Sequence, residues 1–103
     1  MKISSMFTPI RIGSMTVPNR FVVPPMGNNF ANTDGTLSET SKAYYLERAL
    51  GGFGLITIES SVVDKKAKGG PRKPCLYDDS TIDSFKNVID ACHDAGSKVS
   101  IQL

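Results

Sequence analysis

A chain of 103 residues has room for one small domain at most. With 40% hydrophobic and 21% charged residues, its make-up is that of an ordinary globular protein and excludes the disordered class. The formal net charge of +2 is too small to argue for nucleic acid or an anionic membrane surface. No run approaches the roughly 18 apolar residues of a membrane span, and the stretch from Met1 to Pro9 lacks the apolar core of a signal peptide. Cys75 and Cys92 are too few for a disulfide framework and suit a reducing compartment, so the cytoplasm is the expected location.

In chain order, the first predicted element is a β-hairpin over 7–17, in which Ile10-Arg11-Ile12 and Met15-Thr16-Val17 flank the Gly13-Ser14 pair. A strand follows over 20–24, apolar through Phe21, Val22 and Val23. Pro24 and Pro25 close it, because a ladder cannot continue through residues without an N–H. Residues 27–35 are rich in Asn, Asp and Gly and read as a loop. Ser38 and Glu39 mark the start of a helix over 39–50, and Gly51-Gly52 its stop. Its buried stripe is expected from Ala43, Leu46, Ala49 and Leu50, with Tyr44 and Tyr45 flanking it and Glu47 and Arg48 facing away.

A second strand is predicted over 54–59. Beyond a loop reaching about Asp79, Ile82, Phe85, Val88, Ile89, Cys92 and Ala95 recur at helical spacing and predict a helix over 80–95. Residues 98–103 form the third predicted strand. Strands alternating with helices imply crossovers and a parallel sheet. Parallel strands need cover on both faces, and two helices can cover only one. The expected fold class is α/β, with part of its packing supplied from outside these 103 residues.

The residues then carry a likeness. Met6-Phe7-Thr8-Pro9-Ile10, Ile12-Gly13 and Asn19-Arg20 open it. Pro24-Pro25-Met26-Gly27, Asp34-Gly35, the run from Tyr44 to Ile56, Glu59 and Ile101-Gln102-Leu103 continue it. This string resembles the start of the Old Yellow Enzyme family of NADH:flavin oxidoreductases. The wording Pro25-Met26-Gly27-Asn28-Asn29-Phe30 is most similar to the enoate reductase and 2,4-dienoyl-CoA reductase branch. The resemblance covers the whole chain except the stretch from Asp64 to Lys73. It implies the N-terminal hairpin and first three β/α units of a (β/α)8 TIM barrel, truncated, of a fold that takes about 250 residues.

It also implies a chemistry. FMN reduced by NADH or NADPH would pass hydride to an alkene conjugated to a carbonyl or thioester, so the expected partner is a small α,β-unsaturated molecule. The implied cofactor-binding residues are Pro25, Met26 and Gly27 after the first predicted strand, Ser60 after the second, and Gln102 near the end of the third. Pro25 and Met26 would pack against the flavin ring, Ser60 would be the small residue beside it, and Gln102 would reach its pyrimidine edge. Several members carry Thr or Cys where this chain has Gly27, so side-chain tuning of the flavin is expected to be absent. No catalytic residue and no metal ligand is expected within the chain. The proton donor, the phosphate-binding loops and, in the implied branch, a 4Fe–4S cluster and FAD would be held beyond Leu103.

Each position also has a plainer reading. Pro24-Pro25 can simply end a strand, Gln102 and Ser60 can be ordinary polar positions, and Glu59 a satisfied structural carboxylate. His93 is expected on the helix surface and Cys92 in the core, while Cys75 falls in a loop. The stretch from Asp64 to Lys73 gathers five of the twelve basic residues and reads as a solvated loop. Its place after the second strand would also let it attract an anionic acyl-CoA. The alternative to an enzyme is a catalytically incompetent partial barrel that binds no cofactor tightly and self-associates through its exposed face.

Overall fold

The computed structural model describes residues 3–103. A 3-10 turn over Ile3–Phe7 precedes the hairpin, which is shorter than the predicted 7–17: β1 (Ile10–Ile12) pairs antiparallel with β2 (Met15–Val17). Phe7 belongs to the 3-10 turn, and its ring packs on Phe21 with centroids 5.3 Å apart. The two-residue turn between the strands has Gly13 at φ 61°, a conformation that glycine adopts without a steric cost.

The second sheet has three parallel strands in the order β3 (Val22–Val23), β4 (Leu55–Ile58), β5 (Lys98–Ile101). The strand expected over 20–24 shrinks to two residues because Pro24 and Pro25 cannot extend the ladder. Between β3 and β4 lies α1 (Glu39–Leu50), and between β4 and β5 lies α2 (Ile82–Asp94). The Ser38 hydroxyl accepts the Ser41 N–H at 3.0 Å and caps α1. The start of α2 is later than the expected 80 because Asp79–Thr81 form a 3-10 turn, with the Asp78 carboxylate accepting the Ser80 N–H.

Both helices lie on one face of the sheet. Val23, Ile56 and Ile58 meet Tyr45 and Ala49 of α1 and Phe85, Val88 and Cys92 of α2. The α1 stripe differs from the expected one. Ser41, Tyr45 and Ala49 are buried at intervals of four, whereas Ala43 is exposed and Leu50 is 70% exposed. The cause is Tyr45, whose ring fills the core while its hydroxyl accepts the Glu59 N–H at 3.0 Å. Arg48 does not face away either: its guanidinium lies 3.5 Å over the Tyr44 ring.

Among the described residues no helix lies on the opposite sheet face. Val22 is 48% exposed, and Leu55, Thr57 and Ser100 are half-buried, with the Thr57 and Ser100 hydroxyls bonded at 2.8 Å. In a (β/α)8 barrel this is the face that turns inward.

Candidate functional site

Because β3, β4 and β5 run parallel as neighbours, their C-terminal ends meet at one edge of the sheet. That edge is where open and closed α/β sheets bind ligands. Pro25, Met26 and Gly27 leave β3 there, Ser60 leaves β4 and Gln102 leaves β5. The pairing continues past the strand ends: the Gln102 N–H donates to Ile58 O at 3.2 Å, and the Ser61 N–H to Gln102 O at 2.8 Å. Those bonds hold Ser60 and Gln102 side by side. All five candidate residues are exposed, Met26 to 46%.

Beneath this ledge sits Glu59, 0% exposed at the end of β4. Its Oε2 accepts the Asn28 N–H at 3.3 Å and so ties the loop after β3 to the strand. Burial pushes the Glu59 carboxyl up, while the Asn28 N–H and the charge of Lys73 pull it back. Burial likewise pushes the Tyr45 phenol up to about 12, leaving it a neutral donor and acceptor. Glu59 Oε1 and Asn28 Nδ2 are buried without a partner among the described residues.

The loop from β3 to α1 is tightly built. The Asn28 side chain accepts the Phe30 N–H at 3.0 Å, and the Ser38 hydroxyl donates to Phe30 O. Asp34 accepts both the N–H and the hydroxyl of Thr36, which hold its carboxyl below the ordinary range. The basic stretch after β4 docks against this loop. Lys68 donates to Thr33 O at 2.7 Å, and Val62 and Cys75 form a bridge across the base of the stretch. Cys75, read from sequence as a loop residue, is fully buried under Gly35. Its loop position concealed this burial because the contact is made by residues 40 apart.

Cys92 lies in the core, where burial pushes its thiol up, and His93 is exposed in the last turn of α2. Among the described residues no three His, Cys, Asp or Glu side chains gather to hold a metal ion. A depression of about 460 Å³ lies at the other end of the sheet, lined by Phe7, Asn19, Phe21, Gly51, Gly52 and Phe53. No titratable side chain lines it, and it sits at the strands' N-terminal ends. The ledge is therefore the candidate site.

A sheet of this connectivity, with one face left open and its loops gathered at one strand end, has the architecture of the opening units of a β/α barrel. Residues 5–103 match the NADH:flavin oxidoreductase / NADH oxidase family, and the chain belongs to it. It is 38% identical over 100 residues to an NADH oxidase of Thermoanaerobacter brockii, covering 96% of this chain and 15% of that protein. It is 35% identical over 99 residues to an NADPH dehydrogenase of Bacillus subtilis, covering 95% of this chain and 29% of that one. Among solved structures, a 2-naphthoyl-CoA reductase complex superposes with a TM-score of 0.92 at 28% identity, over 97% of this chain and 15% of the other. The old yellow enzyme homologue from Zymomonas mobilis gives 0.87 at 32%, over 96% and 27%. The chain thus spans less than a third of each of these proteins. No helix among the described residues is long and apolar enough to cross a membrane.

Proposed function

We propose that the strand-end ledge is one wall of an FMN site, in a cytoplasmic enzyme that uses NADH or NADPH to reduce alkenes conjugated to a carbonyl or thioester. The observation that carries this is the alignment of three consecutive parallel strand ends, each presenting a residue suited to a flat heteroaromatic ring. Pro25 and exposed Met26 offer an apolar ledge. Ser60 leaves room beside it, and the Gln102 carboxamide is exposed and able both to donate and to accept. FMN would supply the hydride chemistry. The residues of this chain orient the ring, and the Asn28–Glu59 bond fixes the ledge relative to β4. In this reading none of the five gives a proton to substrate, and the general acid is a residue outside them. The likeness to a naphthoyl-CoA reductase supports a thioester substrate.

The test is NAD(P)H oxidation by the protein at its natural length, with and without added FMN, against a neutral enone and an enoyl-CoA. FMN-dependent turnover of an alkene is expected. FMN-dependent turnover that never consumes an alkene would remove the substrate reading, and turnover indifferent to FMN would remove the cofactor.

A second reading, an inactive partial barrel, draws on the uncovered sheet face around Val22. It predicts that residues 1–103 alone bind FMN weakly.

A further inference from the structure

Gly27 has a neighbour that its sequence position does not reveal. A Cβ built on Gly27 would lie 3.2 Å from the Lys73 ammonium and 3.7 Å from Glu59 Oε2. Gly27 has no positive φ, so nothing in its backbone demands glycine. What the missing side chain provides is room, and the head of Lys73 stands at its edge. Lys73 is half-buried and makes no close ion pair among the described residues, and the carboxyl its charge acts on is that of Glu59. Around the same point Glu59 Oε1 is buried without a partner among the described residues.

We propose that Lys73 is a positioning residue for the cofactor ledge: its ammonium uses the room left by Gly27, is kept there by Glu59, and sets positive charge against the group bound on Pro25 to Gly27. The inference rests on the FMN reading. It replaces the expectation that glycine at 27 leaves the flavin untuned, because the loop after β4 delivers a charge where the strand end has no side chain. A flavin becomes more negative on reduction, so a fixed cation beside it favours the reduced form.

Two readouts test it. The first needs no cofactor: carbon-detected NMR titration of the Glu59 carboxyl. The charged or titratable groups facing it are Lys73 from the loop and Tyr45 from α1, and Tyr45 stays neutral below about 12. Lys73→Met should raise the Glu59 pKa and Lys73→Arg should not. Gly27→Ala should act in the same direction by crowding the ammonium, and adding it to Lys73→Met should change little more. The second readout is the midpoint potential of the flavin-loaded protein. Lys73→Met should weaken the preference for reduced over oxidised flavin about tenfold, which is about 30 mV for a two-electron couple. A Glu59 titration indifferent to Lys73 and Gly27 overturns the placement, and an unmoved potential overturns the role. Failure of the wild-type protein to bind FMN overturns the reading beneath both, and is seen before any variant is made.

Discussion

Asn19 shows how much one polar side chain can settle. Its Oδ1 accepts the N–H groups of Phe21 and Gly54, each at 3.0 Å, and its Nδ2 donates to Gly52 O at 2.8 Å. The starts of β3 and β4 are thereby locked in register. Gly54 must be glycine for this, since a Cβ there would stand 2.7 Å from that same Oδ1. Gly35 is held to glycine twice over, by φ 89° and by a Cβ position 2.5 Å from the Cys75 Cβ. Gly35→Ala should cost about 3 kcal/mol or more in urea unfolding, and a loss under 1 kcal/mol would show that Cys75 can move aside. Tyr45→Phe leaves the Glu59 N–H without its acceptor and should cost about 1–3 kcal/mol.

Glu59 gives the residue scale its pH dependence. Burial raises its carboxyl above the ordinary 4.5, so the folded state holds the proton more tightly than the unfolded chain. The stability this contributes is full below pH 4.5 and is lost as pH rises through the folded pKa. Glu59→Gln keeps an acceptor for the Asn28 N–H and removes the charge. The variant should therefore gain on the wild type between pH 4 and pH 8 in parallel denaturant melts. A difference that stays flat across that range contradicts the raised carboxyl.

At the scale of elements, the hairpin, three parallel strands and two helices were legible because their signals are local: Gly13-Ser14, the Pro24-Pro25 stop, the Ser38 cap and the α2 periodicity. What was not legible depends on contacts across the fold. The buried face of α1 was misread because Tyr45 is both large and polar, and only the β4 end shows where its hydroxyl goes. The basic stretch was misread in part for the same reason. Its Lys68 anchors on Thr33 O and Lys73 turns toward Gly27, leaving Lys65, Lys66 and Arg72 exposed to solvent. If the loop steers an anionic substrate, Lys65 and Lys66 are among the charges that do so. Changing both to Ser should raise KM for a CoA thioester about three- to tenfold at low salt, leave a neutral enone unaffected, and lose its effect as salt rises. Equal changes for both substrates would contradict steering by this loop.

Across the whole molecule, one sheet face is packed and the other is not. Ile56 and Ile58 are fully buried beneath the helices, while Val22 stands half open on the far side. Residues 1–103 alone should therefore self-associate, with an apparent mass in light scattering that rises with concentration; a monomer at all concentrations would mean that the open face tolerates water. The candidate site was legible as a set of positions, since each of its residues follows a strand. Its underside was not: no spacing in the sequence joins Gly27, Glu59 and Lys73.

The central claim is that the ends of β3, β4 and β5 hold the flavin ring. Fluorescence titration of FMN into the natural-length protein tests it, using Gln102→Ala and Ser60→Phe at the ledge and Phe7→Ala at the opposite groove. The ledge account predicts that Gln102→Ala weakens FMN about tenfold, that Ser60→Phe abolishes the quenched complex, and that Phe7→Ala changes neither. Full affinity in both ledge variants, or a loss confined to Phe7→Ala, would contradict it.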